Sequence, residues 1–268
     1  SGEIISADSR QVYKGLDIGS GKITKKEMKS VPHYLLDVAN PKRQFSVAQY
    51  KKLADKKILE INKRNKLPII VGGTGFYIQA IIDGLVLPKV KPNSKLRKEL
   101  EKKTAKELFE ILKKLDKSRA KDIEKDNPRR LIRAIEIAKA LGKVPKLKKS
   151  SKYEVLQVGL KIPEEKLKEN IKKRLFTRMK KGMIKEVENL HSEGLSWKRL
   201  EALGLEYKNL ALYLQKKINK SELLDRIQTE SWQFAKRQMR WFKKDERIKW
   251  FKPSEVKKVE KEIKKFIK

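Results

Sequence analysis

At 268 residues the chain can bury a substantial core as one large domain or two smaller ones, and its 69 Lys and Arg against 34 Asp and Glu give a formal charge of +35. That excess goes well beyond what solubility requires, even allowing for Lys on the outer faces of helices as in KKLADKKILEINKRNK, so a polyanion is the expected partner, with RNA and DNA undistinguished. The absence of Cys excludes disulfides, zinc fingers and thiol nucleophiles and fits a reducing cytoplasm, and no apolar run approaches the ~18 to 20 residues that span a bilayer.

In chain order, EIISAD (3–8) reads as a strand already under way, which leads us to expect further sequence upstream. The GSGK stretch (19–22) raises the question of a phosphate-cradling loop. Such a loop needs Gly, four residues, then Gly-Lys-Ser/Thr, so that backbone N–H groups wrap the phosphates and the hydroxyl holds magnesium. Here Leu16 stands where the first Gly belongs and Ile23 follows Lys22, so the expectation is a basic surface turn. SVAQYKKLADKKILEINKRN carries Val47, Tyr50, Leu53, Ala54, Ile58 and Ile61 at helical spacing behind Ser46 as a cap. LPIIVGGTGFYIQAIIDGL then reads as buried strand, glycine turn and helix, an order that favours a parallel sheet covered by helices.

From residue 93 the texture turns helical. One helix capped by Asn93 or Ser94 is expected, with Leu96, Leu100, Leu108, Ile111, Leu112 and Leu115 on its inner stripe. Another has Asn127 as cap, Pro128 in the first turn and Gly142 at the stop. YEVLQVGL (153–160) is expected to return to the sheet. Everything after Pro163 reads as helices broken near Gly194 and Gly204, with KVPKLKKSSK and PKVKPN as loops and the terminal VKKVEKEIKKFIK as an amphipathic helix.

Candidate chemistry gathers at strand ends. Asp8 and Ser9 follow the first strand, where open α/β sheets build their sites, and a carboxylate there can act as a general base; Asp-Ser is equally ordinary turn chemistry. Gly72, Gly73 and Gly75 allow close backbone approach, with the Thr74 hydroxyl at a helix start. At 100° per residue Arg129 and Arg133 point away from the Leu131, Ile135 and Ala138 stripe, leaving both guanidiniums able to meet a phosphate. WQFAKRQMRWF interleaves Trp232, Phe234, Trp241 and Phe242 with Lys236, Arg237 and Arg240, a composition suited to single-stranded RNA, while its helical spacing assigns some of these rings to the core. His33 and His191 lie far apart, and no metal or triad constellation is visible.

In order, GEIISADSRQVYKGLDIGSGK, PHYLLDV, VGGTGFYIQAI, NPRRLIRAIEI, LGLEYK and AKRQMRWF resemble the tRNA dimethylallyltransferase family over nearly the whole chain. The resemblance implies an α/β fold with a P-loop-NTPase-like parallel sheet flanked by helices and a helical insertion. It places residues 1–92, 127–163 and 225–268 in the α/β core and 93–126 and 164–224 in helical material. It also puts the nucleotide-type P-loop upstream of Ser1, so this stretch alone is expected to be inactive. The implied reaction moves a dimethylallyl group from its diphosphate to the exocyclic amino group of the adenine 3′ of the anticodon, with Mg2+ helping the diphosphate leave and a cytoplasmic monomer acting on the tRNA anticodon stem-loop. Asp8 matches the base, with Thr74 beside it as a second catalytic residue. Asp8, Ser9, Arg10, Gln11, Thr74, Arg97, Arg129, Arg130, Leu131, Ile132, Arg133, Gly204, Tyr207 and Lys208 match tRNA-contacting stretches, and Lys236, Arg237, Gln238, Arg240 and Trp241 form the basic-aromatic tract. The family's Gly-Tyr-Lys/Arg motif appears here as Gly-Leu-Glu-Tyr-Lys, and Trp232 stands where many members have Arg. The rival readings are a P-loop small-molecule kinase relative and a non-catalytic RNA-binding protein derived from the enzyme.

Overall fold

The computed structural model describes residues 1–267 and divides into two units, Ser1–Asp83 with Ser151–Lys268, and Gly84–Ser150. In the first, β1 (Gly2–Ser6) is the central strand of a parallel sheet, flanked by β2 (His33–Tyr34) and β3 (Leu67–Val71). The register pairs Gly2 with Leu67 through Ser6 with Val71, and Ile4 and Ile5 with His33 and Tyr34. Parallel strands need a crossover, and α1 (Val47–Lys63) supplies it. Ser46 and Gln49 form a reciprocal capping box at its start, and Tyr50, Ala54, Ile58 and Ile61 make the buried stripe that spacing predicts. After β3, α2 (Gly75–Ile82) sets Tyr77 flat on Tyr50, ring centroids 4.0 Å apart.

The second unit is helical: α3 (Ser94–Leu100), α4 (Ala105–Leu115), α5 (Lys117–Asp122) and α6 (Pro128–Leu141). The single helix expected over this stretch is two, because Thr104 breaks it. Its side chain and that of Glu107 form a second capping box, which starts a new helix where the apolar stripe alone reads as continuous. In α6 the expected signals hold: Asn127 caps, Pro128 opens the first turn and Gly142 ends the helix at φ +79°.

The chain returns to the first unit through β4 (Gln157–Leu160), followed by α7 (Glu164–Lys180), α8 (Met183–Ser192), α9 (Trp197–Ala202), α10 (Leu205–Leu214), α11 (Lys220–Phe242), β5 (Ile248–Phe251) and α12 (Val256–Ile267). β4 does not rejoin the sheet of β1 as expected. It pairs in parallel with β5, a strand the sequence reading missed, in a separate two-stranded sheet. The boundaries also differ from those expected. Leu131 and Ile135 of α6 close a core with Leu100, Leu108 and Leu112, whereas Leu175, Val187, Leu200 and Leu210 of α7 to α10 pack with Ile5, Tyr50 and Ile61. An apolar stripe shows that a helix packs without naming its partner; α6 belongs to the second unit and α7 to α10 to the first.

Candidate active site

Because β1 and β3 run parallel, their carboxyl ends emerge side by side, and the segments that follow are bonded to each other. Ala7 N–H donates to Val71 O at 2.8 Å and Thr74 N–H to Ala7 O at 3.1 Å. The backbones approach so closely at Gly72 that a Cβ would lie 2.3 Å from Ala7 O, which only glycine avoids. Thr74 stands at the N-cap of α2 without capping it; its Oγ1 accepts the Ser9 N–H at 3.0 Å instead. Asp8 Oδ1 accepts the N–H groups of Arg10 at 2.7 Å and Gln11 at 3.3 Å, an Asx turn that fixes the carboxylate. Its Oδ2 accepts no hydrogen bond among the described residues, so one oxygen orients the group and the other remains open to a ligand.

The basic-aromatic tract reaches this same point. Gln238 Nε2 donates to Gly73 O at 2.9 Å, and Trp241 lies against Gly75 and edge-on to Phe76 at 6.5 Å. Trp232 sits under the ammonium groups of Lys168 and Lys236, and Arg237 lies over Phe234. None of these rings is in the core, contrary to the reading from spacing: Phe234 and Trp241 are exposed, Trp232 and Phe242 half-buried, and the buried residues of α11 are Leu223, Ile227 and Ser231. Lys236, Arg237 and Arg240 are exposed.

The GSGK loop does cradle an anion, but the anion belongs to the protein. Glu186 of α8 accepts the N–H groups of Asp17 at 3.0 Å, Ile18 at 2.6 Å and Gly19 at 3.0 Å, so successive backbone donors close on one carboxylate. Tyr207 O–H donates to Glu186 at 2.8 Å and accepts the Ser20 N–H at 3.1 Å. Lys22 is held by Asp17, Asp37 and Tyr13 O. From α7, Arg178 donates to Gly19 O at 3.2 Å and pairs with Glu206 at 3.5 Å. Burial pushes the Tyr207 phenol and the Glu206 carboxyl up and the Arg178 guanidinium down. Arg174, one turn before Arg178, lines with it, Glu206 and Ser231 a small recess against Leu175 and Ile227.

Residues 11–245 match the IPP transferase family. The chain belongs to that family. A tRNA dimethylallyltransferase of Halothermothrix orenii is 39% identical over 277 aligned positions, spanning 99% of this chain and 84% of that protein. The tRNA dimethylallyltransferase 2 of Treponema denticola is 44% identical over 252, spanning 92% and 84%. Among solved structures, the full-length tRNA isopentenylpyrophosphate transferase of Bacillus halodurans superposes with a TM-score of 0.72 at 36% identity, covering 99% of this chain and 87% of that one. A eukaryotic dimethylallyltransferase acting on tRNA gives 0.75 at 26% identity, covering 90% and 63%.

Within this IPP transferase chain the site residues singled out from sequence separate by environment. Asp8, Ser9, Arg10, Gln11 and Thr74 are brought together at the strand ends, and Gly204 lies against Arg10. Tyr207 is buried as a clasp on the loop, and Lys208 is exposed and paired with Glu230 at 3.4 Å. The second unit corrects several expectations. Leu131 and Ile132 are core residues whose side chains cannot reach RNA. Arg97 and Arg133 both grip Glu136, which is 2% exposed, and Arg133 also donates to Val90 O. Burial alone would raise the Glu136 carboxyl, but Arg97, the Asn93 N–H and Arg133 hold it below the usual range. Arg133 is therefore not free as the helical wheel suggests: Glu136 and Val90 O take two of its donors while the side chain stays 35% exposed, because α6 also buries Ile132, Ala134 and Ile137 and this widens its inner face to include position 133. Arg129 and Arg130 are exposed, Arg130 beside Glu124 at 3.1 Å. Sequence reasoning missed Arg174, Arg178 and Glu186, which sit in Lys- and Glu-rich helices where nothing distinguishes them from surface charges, and it passed over Glu206 inside the LGLEYK segment because only packing against α7 gives that carboxylate a partner.

Proposed function

We propose that this chain modifies tRNA, transferring a dimethylallyl group from dimethylallyl diphosphate to the exocyclic amino group of the adenine 3′ of the anticodon. The observation that carries the reading is the Asp8 carboxylate, fixed through Oδ1 at the joined ends of β1 and β3 with Oδ2 open. An aromatic amine is a weak nucleophile, so its attack on C1 of the allyl group is helped by a base that takes the amino proton as the C–N bond forms. The C1–O bond breaks, its electron pair leaves on the diphosphate, and the proton ends on Asp8. Thr74 holds Ser9, and with it the turn that aims Asp8. The adenine must leave its stack to be reached, and Trp241 and Phe76 offer exposed faces next to the Thr74 turn.

RNA contacts in this reading come from Ser9, Arg10, Gln11 and Lys208 in the first unit, Arg129 and Arg130 in the second, and Lys236, Arg237 and Arg240 on α11. The charge of +35 favours a polyanionic acceptor over the small phosphate acceptor of a kinase. Magnesium would come with the diphosphate substrate, as it does where substrate phosphates supply its ligands. Among the described residues no group of three or more His, Asp or Glu could hold it alone, and no step is derived through it. The proposed setting is a cytoplasmic monomer; among the described residues no helix is long and apolar enough to cross a membrane.

The test is single-turnover transfer by the full-length protein to an anticodon stem-loop. Replacing the target adenine by a purine without the amino group should abolish product. Asp8→Asn should lower the rate by ~10² to 10⁴ with RNA affinity little changed. A rate within about threefold of the parent rules out the base role, and a joint fall of affinity and rate assigns Asp8 to holding the adenine instead.

A further inference from the structure

The Gly-Leu-Glu-Tyr-Lys segment, residues 204–208, has a visible structural consequence. Glu206 and Tyr207 occupy the first turn of α10 and both act on the loop that follows β1, Tyr207 through Glu186 and Ser20, Glu206 through Arg178. Arg178 donates to Gly19 O, and its guanidinium fills the space beside Gly21, where a Cβ would lie 1.7 Å from Nη2. Gly21 also sits at φ +63°, so a side chain there would be strained and would displace the Arg178 guanidinium. Gly21 O in turn accepts the Gln11 side-chain amide at 3.3 Å, and the Gln11 N–H donates to Asp8 Oδ1. A continuous chain of contacts therefore runs from Glu206 through Arg178, the 19–21 backbone and Gln11 to the carboxylate.

We propose that Arg178 and Glu206 are a positioning pair that holds the 17–22 loop and, through Gln11, sets the orientation of Asp8 for the transfer step. The inference rests on Asp8 being the base. The pair does not earn its place as a stabilising salt bridge: the side chains are 16% and 19% exposed and the contact is 3.5 Å, so the cost of desolvating two charges is poorly offset. Its consequence is geometric. It fixes where the guanidinium sits, and the loop backbone is moulded around that position.

Arg178→Met, Glu206→Leu and the double variant of the full-length protein separate positioning from stability. Arg178→Met should slow single-turnover transfer by about tenfold to a hundredfold, with stem-loop Kd within about twofold of the parent. Amide exchange at Ile18 and Gly19 should quicken by at least about tenfold. Removing both charges should restore the melting temperature, because no buried charge is left unpaired, while transfer and exchange stay impaired. Glu206→Gln, which keeps the shape, should show the same effects more weakly and serves if Arg178→Met does not fold. A double variant with parental rate, or unchanged exchange in Arg178→Met, overturns the proposal. If the parent transfers nothing while Arg178→Met loosens the loop, the proposed reaction fails and the pair's hold on the loop stands.

Discussion

Arg97 meets Glu136 through two parallel bonds, Nε to Oε1 and Nη2 to Oε2, each 2.7 Å long. This fork makes Arg97 a structural residue of the second unit. Arg97→Met leaves the buried carboxylate with Arg133 and the Asn93 N–H alone, so the unit should lose about 3 kcal/mol in chemical denaturation followed by exchange at residues 84–150. A variant with parental stability and a lower salt dependence of RNA binding would return Arg97 to the surface role.

Arg129 gives the complementary result. It is exposed at the start of α6, where its loss removes little packing. Arg129→Ala should leave stability within about 0.5 kcal/mol of the parent and reduce the slope of log K against log salt for stem-loop binding by ~0.7 to 0.9. Weaker affinity with an unchanged slope would mean that Arg129 contacts something other than a phosphate.

Acid stability should depend on Asp245. A hydrogen bond from Arg247 and, less strongly, one from Gln157 outweigh burial and hold its carboxyl down at about 2. Its folded value lies below the unfolded value of about 3.9, so the stabilisation is fully present above pH ~4 and disappears as pH falls through about 2. Asp245→Asn has no such charge to lose, so between those limits its stability should change less with pH than the parent's. Parallel denaturation midpoints for the two proteins across that window would remove Asp245 from the acid limb.

The elements were legible where local chemistry determines them. Ser46 with Gln49, and Asn127 with Pro128 and Gly142, mark helix ends through bonds made within a few residues, and both helices form as read. Thr104 with Glu107 carries the same signal, hidden by an apolar stripe that continues in phase across the break. The strand ends bearing Asp8 and Thr74 were also legible, since a parallel sheet places both on one edge. The Ser9–Thr74 bond, which spans 65 residues, was not. The GSGK stretch shows the limit most clearly. Its failed spacing rules out a phosphate loop, but that a carboxylate 167 residues away fills the Gly19 donor depends on how α8 packs. Likewise Arg133 looks free on a helical wheel and is not, because α6 is buried over more than one stripe.

That long-range bond also makes Thr74 the most discriminating residue at the site. Its hydroxyl accepts the Ser9 N–H and does not cap α2, so its removal should leave the helix intact and release the turn that carries Asp8. Thr74→Val keeps the volume and removes the acceptor, leaving a partly buried N–H unsatisfied at a cost of roughly 1 to 3 kcal/mol. If the bond aims Asp8, single-turnover transfer should fall by about tenfold to a hundredfold while stem-loop affinity holds. Thr74→Ser, which restores the acceptor, should recover most of the rate. If Thr74 instead contacts the substrate, Thr74→Val should weaken donor or RNA binding, and the loss of rate should be recovered by raising substrate concentration. Measuring rate against concentration for both variants separates the roles: a drop in the saturated rate that Ser rescues places Thr74 behind Asp8, and a drop confined to subsaturating substrate places it at the substrate.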